Sequence, residues 1–268
     1  MRIFVAGATG VLGRRLLPLL LAEGHQITAL TRKPGTVLPD VETVQADVFD
    51  RASLIEAVQQ AQPDVVMHQL TDLAGRDFAA NARIRITGTR NLVDAAEGVR
   101  KIIAQSIAWM YAPGAGPATE DVPLDPDRDV AAVEALENTV REAPEWVVLR
   151  YGLFYGPGTW YHTDGLMADA ARKGELIATG DVSSFVHIDD AASAAVAALG
   201  WKSGAVNVAD DEPAAAHDWL PAFCSSVGAP PPGQATDRNP WARGADNRRA
   251  RQLGWVPRFP SWRTGFGA

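Results

Sequence analysis

Residues 3–16 read Ile-Phe-Val-Ala-Gly-Ala-Thr-Gly-Val-Leu-Gly-Arg-Arg-Leu. A short apolar strand therefore runs directly into three glycines, Gly7, Gly10 and Gly13, and then into a helix. Glycines at this spacing let the backbone approach a pyrophosphate closely, and the N-terminus of the helix offers it unpaired N–H groups and the positive end of the helix dipole. The stretch predicts a dinucleotide-binding turn at the first strand of the chain.

Length and composition bound the class of protein. A chain of 268 residues with 47% hydrophobic and 21% charged residues has room for one large α/β domain, or for a core domain with a small lobe. The net charge of −7 argues against a nucleic acid or an anionic membrane as partner. Cys224 stands alone and no His/Cys/Asp spacing suggests a metal site. We find no signal peptide or membrane span, and expect a cytoplasmic monomer or homodimer that acts on a small molecule.

Short β-type runs alternate with helical stretches over the first 150 residues. The predicted strands are Arg2–Ala6, Gln26–Thr31, Thr43–Ala46, Val65–Gln69, Lys101–Gln105 and Trp146–Arg150. The predicted helices cover 11–22, 51–61, 76–97 and 130–142. This alternation predicts an α/β fold, a Rossmann-type doubly wound parallel sheet with a small C-terminal substrate lobe. We assign 1–150 to the dinucleotide-binding Rossmann core and 151–268 to the substrate-binding lobe, interleaved with the last core elements.

The end of the second strand distinguishes between the two dinucleotides. A NAD site usually has an acid there for the ribose 2′-hydroxyl, whereas a 2′-phosphate needs cations. This chain has Thr31-Arg32-Lys33 and no acid nearby, which favours NADP over NAD. The alternative is that Arg32 and Lys33 are a solvent-exposed pair at a turn with no ligand. Asp47-Val48, after the third strand, fits a contact with the adenine, or alternatively a cap of the following helix.

Further motifs follow the glycine loop in order along the chain. They are Gly88-Thr89-Arg90-Asn91-Leu92-Val93-Asp94-Ala95-Ala96, Leu149-Arg150, Tyr155-Gly156-Pro157-Gly158, Phe185-Val186-His187-Ile188-Asp189-Asp190, Val206-Asn207-Val208 and Leu253-Gly254-Trp255-x-Pro257. Over essentially the whole chain this series resembles the extended or atypical short-chain dehydrogenases/reductases, the NAD-dependent epimerase/dehydratase family. Together with the strand ends above, the resemblance implies a cofactor site made of Gly7, Thr9, Gly10, Val11, Leu12, Gly13, Thr31, Arg32, Asp47, Val48, His68, Gln69, Leu70, Gln105, Ser106, Tyr151 and Gly152.

The chain departs from this family at the residues that carry its chemistry. The family usually has a Tyr-x-x-x-Lys pair, in which the lysine and the nicotinamide ribose lower the pKa of the tyrosine. Counting back from Glu137, those positions are Asp129 and Val133. The usual hydroxyl position next to Ser106 is Ile107, and Arg85 replaces the family's asparagine before Gly-Thr. Ordinary ketone reduction therefore does not follow from the resemblance.

Three residues are candidates to replace the lost pair. Ser106 lies at the carboxyl end of the fifth strand, Tyr111 lies on the same loop, and Tyr161 belongs to an aromatic cluster after the sixth strand. For each aromatic residue taken singly, packing in the lobe is the favoured alternative. We expect an NADP-dependent oxidoreductase, epimerase or dehydratase whose small organic substrate lies between apolar walls such as Trp109 and Trp160. The alternatives are a dinucleotide-binding sensor or scaffold, and a non-redox enzyme on the same fold.

Overall fold

The computed structural model describes residues 1–73 and 76–267. Its strands are β1 (Arg2–Ala6), β2 (Gln26–Thr31), β3 (Glu42–Gln45), β4 (Val65–His68), β5 (Lys101–Ile107), β6 (Glu145–Tyr151), β7 (Leu153–Tyr155), β8 (Ile177–Ala178), β9 (Val182–Ser183), β10 (Phe185–His187), β11 (Gly204–Val208), β12 (Ala214–Ala215) and β13 (Gly233–Gln234). Its α-helices are α1 (Val11–Ala22), α2 (Arg51–Ala61), α3 (Phe78–Arg83), α4 (Thr89–Ala95), α5 (Ala131–Val140), α6 (Leu166–Arg172), α7 (Ile188–Ala197), α8 (Ala216–Ser226), α9 (Arg248–Gln252) and α10 (Trp262–Gly265).

The largest sheet in the described chain has seven strands in the order β11-β6-β5-β4-β1-β2-β3. β1 pairs in parallel with β2 on one side and with β4 on the other, so that Ile3 lies opposite both Ile27 and Val65. Parallel pairing aligns the carboxyl ends of neighbouring strands along one edge, where open α/β sheets bind their ligands. The predicted Rossmann-type doubly wound α/β fold is confirmed.

The apolar runs of the sequence form the buried strands of this sheet. Every residue of β4 is buried, and in β1 only Arg2 is exposed. Phe4 of β1 and Val66 of β4 belong to one core cluster with residues of α2, α4 and α5. Asp50 begins α2 by accepting a hydrogen bond from the Ser53 backbone, which is the N-cap arrangement that helices favour.

The chain forms two compact units. The first comprises Met1–Ser106, Asp129–Leu149 and Ala195–Ala205, and the second Ile107–Arg128, Arg150–Ala194 and Val206–Ala268, of which residue 268 lies outside the described range. This division differs from the boundary at residue 150 predicted above.

The segment 107–128 lies in the second unit because hydrogen bonds attach it to residues late in the chain. The Arg243 guanidinium donates to the carbonyls of Gly116 at 2.6 Å and Ala115 at 2.7 Å, and the Ala118 backbone N–H donates to Gly244. Such long-range contacts leave no local sequence signal.

An aromatic core stabilises the second unit. Tyr155, Phe185, Trp219, Phe223 and Phe266 are all buried in one cluster, and Phe185 meets Trp219 edge to face with 5.0 Å between ring centroids. β7 pairs in parallel with β10 beside this cluster. Among the described residues, no helix has the length and apolar character needed to cross a membrane.

The long helix predicted for 76–97 is interrupted. α3 and α4 are separated by a π-helical turn at Ile84–Gly88. The Thr89 hydroxyl donates to the Ile84 carbonyl, five residues earlier, and a Cβ on Gly88 would lie 3.3 Å from Val48. The wider turn thus occurs where the helix packs closely against Val48 in the loop after β3, and π-helical turns inside helices are frequent at functional sites.

Candidate functional site

The glycine loop approaches the backbone that follows β4 too closely for any side chain. Gly7 has φ of +100°, and a Cβ there would lie 2.5 Å from both the carbonyl carbon and oxygen of Gln69. A Cβ on Gly13 would lie 2.2 Å from the Gly7 carbonyl oxygen. The loop therefore has the backbone cradle that a dinucleotide pyrophosphate requires.

The amide of Gln69 supplies an independent sign of a polar ligand in the first unit. Its side-chain nitrogen and oxygen are both buried and have no hydrogen-bond partner among the described residues. The Gln69 backbone N–H donates to the Ala6 carbonyl at 2.7 Å, which holds the residue beside the glycine loop. Buried polar atoms are normally paired, so this amide fits a site that a dinucleotide would fill.

The ends of β2 and β3 lie side by side. The Ala46 backbone N–H donates to the Thr31 carbonyl at 3.1 Å, and Thr31 is buried whereas Arg32 is exposed. Asp47 is exposed and accepts a hydrogen bond from the Phe49 backbone, while the Val48 side chain is buried in the core. Arg32 and Asp47 are thus exposed at the carboxyl ends of neighbouring strands, and their predicted contacts with the ribose and the adenine stay predictions.

His68 fixes the loop after β4 rather than facing solvent. Its Nε2 lies 2.8 Å from the Thr89 hydroxyl, which itself donates to the Ile84 carbonyl, so Nε2–H is the donor. Nδ1 then accepts from the Leu70 backbone at 3.4 Å. Burial, with a smaller contribution from the charge of Arg85, lowers the pKa of His68 to about 4, so the imidazole is neutral at neutral pH.

Ser106, at the carboxyl end of β5, donates a hydrogen bond from its hydroxyl group to a carboxylate. The acceptor is Oε1 of Glu137 on α5 at 2.8 Å, and both side chains are buried. The second oxygen of Glu137 lies 3.3 Å from the Arg141 guanidinium, one turn later. In the sequence Glu137 serves only as an alignment marker, and nothing local to it predicts the pairing with Ser106.

The position of the lost lysine holds an apolar residue, and that of the lost tyrosine holds an exposed carboxylate. Val133 is 2% exposed and packs in the core, and Asp129 is exposed before α5 begins.

Arg85, in the π-helical turn, is a cation that the sequence analysis did not assign to the site. Burial lowers the pKa of its guanidinium, and the neighbouring Glu137 partly opposes that shift.

Tyr111 belongs to a hydrogen-bonded network inside the second unit. Its hydroxyl donates to Oδ1 of Asn207 at 2.5 Å and accepts from the Arg150 guanidinium at 3.0 Å. The Asn207 amide donates to the Ala118 carbonyl, and its backbone N–H donates to Glu120. With 1% of its surface exposed, Tyr111 has a clear structural role, and its predicted role as a proton donor stays a prediction.

The other predicted residues of the second unit are also packed. Tyr161 is half-buried among Phe185, Trp219 and Phe223, and burial raises its pKa to about 12, the direction opposite to that needed for acid–base work near neutral pH. The Tyr151 hydroxyl donates to the Ala191 carbonyl at 3.2 Å. A Cβ on Gly152 would lie 2.7 Å from the Ser184 carbonyl oxygen.

The remaining predicted cofactor residues lie in the first unit. Thr9, Gly10 and Val11 are exposed at the tip of the glycine loop, Leu12 is buried on α1, and Gln105 is half-buried on β5. Within residues 1–73 and 76–267, no group of three or more His, Cys, Asp or Glu side chains is placed to hold a metal ion.

Comparison with known proteins identifies the family. The family model described as "NAD dependent epimerase/dehydratase family" matches residues 3–209. The chain belongs to the NAD-dependent epimerase/dehydratase family. It is also 44% identical to a 3-diazoavenalumate denitrifying reductase from Streptomyces sp, over 100% of this chain and 99% of that protein. The resemblance inferred from the motifs is therefore confirmed.

More distant relatives match over most of both chains, and a solved structure among them has the same fold. The chain is 29% identical to a UDP-glucose 4-epimerase of Mycolicibacterium smegmatis, over 96% of this chain and 94% of that one. The crystal structure of a Thermus thermophilus UDP-glucose 4-epimerase in complex with NAD superimposes with a TM-score of 0.78, at 23% identity, over 100% of this chain and 97% of that one. The family implies an NAD(P) dinucleotide, and the glycine loop and the Gln69 amide fit that group.

The contact of the glycine loop with Gln69 predicts that Gly7→Ala is not tolerated. The new methyl group would overlap the Gln69 backbone, and we expect the free energy of unfolding to fall by more than about 3 kcal/mol. Gly24→Ala is the matched control, because Gly24 also has a positive φ but open space around it, and should cost only about 1 kcal/mol. Urea unfolding measures both, and equal losses would contradict the close approach.

The Tyr111 network predicts that removal of the hydroxyl lowers stability. Tyr111→Phe leaves Oδ1 of Asn207 without this donor, so the free energy of unfolding should fall by about 1–3 kcal/mol. Tyr161→Phe retains the aromatic contacts and should change it by less than about 0.5 kcal/mol. Guanidinium unfolding gives both values, and an unchanged stability for Tyr111→Phe would mean that the network is not formed in solution.

Proposed function

We propose that this chain is an NADP-dependent reductase that removes nitrogen from a diazo-substituted aromatic compound. One observation carries the proposal: a chain so similar to a denitrifying reductase has an apolar, buried Val133 where the family's lysine belongs. A reaction that consumes no proton accounts for this loss. Ketone reduction, by contrast, must deliver a proton to the developing alkoxide.

The reaction balances without an acid. Reduced nicotinamide dinucleotide supplies hydride, so that the ring carbon gains a C–H bond while its C–N bond breaks and the electron pair of that bond leaves with dinitrogen. The Ser106 hydroxyl donates its hydrogen bond to Glu137, and the proposed reaction requires no proton from it. The proposed reaction likewise takes no proton from Tyr111 or Tyr161.

The first unit supplies the residues that would hold the dinucleotide. Gly7, Gly10 and Gly13 expose backbone for the pyrophosphate, and the Gln69 amide is available for a hydrogen bond. Arg32 and Lys33, both exposed after β2, would hold the 2′-phosphate, and no acid there competes for a 2′-hydroxyl. These charges support NADP as the cofactor.

The preference for NADP predicts the effect of Arg32→Ala. Loss of a guanidinium–phosphate pair should weaken NADPH binding about 10- to 100-fold and change NADH binding less than about 3-fold. Quenching of protein fluorescence measures both dissociation constants. Arg15→Ala, a change of the same kind on α1, serves as the control for nonspecific loss of charge. An equal effect of Arg32→Ala on both dinucleotides would refute the phosphate assignment.

The reaction itself predicts release of dinitrogen in step with NADPH oxidation. With an aromatic diazo acid as substrate, we expect one equivalent of each, and hydrogen from the 4-position of NADPH at the ring carbon that carried nitrogen. In deuterated water with unlabelled NADPH, that carbon should acquire no deuterium. Mass spectrometry of the product measures the hydrogen isotope at that carbon. If the protein binds NADPH but turns over no diazo or carbonyl compound, the result favours a sensor instead.

A further inference from the structure

The guanidinium of Arg85 has no function in the site described above. The side chain is half-buried in the π-helical turn and makes no hydrogen bond to any residue within 1–73 and 76–267. A guanidinium carries five N–H donors, and to desolvate it without an acceptor is costly. The Arg85 guanidinium is therefore suited to a ligand that supplies hydrogen-bond acceptors for its N–H groups.

Two neighbours define where Arg85 faces. Thr89, four residues later on the same helical face, bonds to His68 at the carboxyl end of β4. The π-helical turn also packs against α5, on which Glu137 bonds to Ser106 at the carboxyl end of β5. β4 and β5 are adjacent, so Arg85 lies by the edge of the sheet where ligands bind.

The charges around Arg85 leave a net positive site. Glu137 is the one carboxylate that acts on Arg85 electrostatically in the described chain, and it also accepts from Ser106 and Arg141. His68, the other titratable neighbour, is neutral at neutral pH. Two arginines and one carboxylate therefore leave one positive charge, which favours an anion.

We propose that the Arg85 guanidinium binds an oxyanion of the substrate and stabilises the negative charge that builds up on it, in place of the family's tyrosine–lysine pair. The planar fork of a guanidinium suits a phenolate or carboxylate oxygen. A preorganised cation of this kind acts without proton transfer.

The reaction role of this site rests on the proposed function. When a ring oxygen is conjugated with the diazo group, the diazo-substituted ring carries no net charge, because an oxygen anion balances the diazonium cation. After hydride has been added and dinitrogen has left, that oxygen bears a full negative charge. Arg85 thus faces more negative charge at the end of the reaction than at the start, which is the condition for rate acceleration by a fixed charge.

The anion site is tested first by binding alone. We would titrate 4-nitrophenol into the protein with NADP⁺ and follow the absorbance of the phenolate. The wild type should bind the phenolate at least about 10-fold more tightly than the uncharged phenol, and Arg85→Gln should abolish this preference. Arg85→Lys should retain part of it. Arg83→Gln, which removes an exposed arginine two residues earlier, is the control and should behave as the wild type.

Turnover of the diazo acid tests the reaction role. Arg85→Gln should lower kcat about 100- to 1000-fold while NADPH affinity changes less than about 3-fold, with partial rescue by Arg85→Lys. Equal phenolate binding by wild type and Arg85→Gln overturns the inference, as does a parallel loss of NADPH affinity, which would place Arg85 on the cofactor. If the wild type prefers the phenolate but never reduces the diazo acid, the proposed function fails and the anion site stands.

Discussion

The contact between Gly7 and the backbone of Gln69 is the constraint on which the rest of the cofactor site depends. It brings the turn after β1 against the chain that leaves β4, with no room for a Cβ at the glycine. The same contact holds the Gln69 amide, which has no hydrogen-bond partner in the described part of the chain, beside the glycine loop. His68 stabilises that segment from the other side through Leu70 and Thr89, so the loop is connected to α4.

The chemistry of the first unit follows from what is buried around Ser106. Ser106 donates a hydrogen bond to Glu137, Val133 is apolar, and His68 is neutral at neutral pH. In the proposed anion site, the positive charge comes from Arg85. An arginine remains charged throughout the physiological range, and it therefore suits electrostatic stabilisation rather than proton transfer.

Most of the sheet could be predicted from the sequence because its signals are local. β1 and β2 have the predicted bounds, and the four other predicted strands differ from the observed ones by one or two residues at one or both ends. Interactions distant in sequence could not be predicted in this way. The π-helical turn at Ile84–Gly88 packs against Val48, and residues 107–128 of the second unit accept hydrogen bonds from Arg243. Tyr111 is likewise predicted as a proton donor from its residue type and position in the sequence. Only the tertiary structure shows that its hydroxyl donates a hydrogen bond to Asn207.

The sequence by itself determined the family, the parallel sheet and the glycine turn, because strand periodicity and the conformational demands of glycine act over a few residues. It also determined that the tyrosine–lysine pair is absent. Only the tertiary structure decided which polar groups remain available: it engages Ser106 with Glu137, keeps His68 neutral and leaves the Arg85 guanidinium without a hydrogen bond among the described residues. Burial and hydrogen bonding between distant segments decide this, and neither is encoded at any single position.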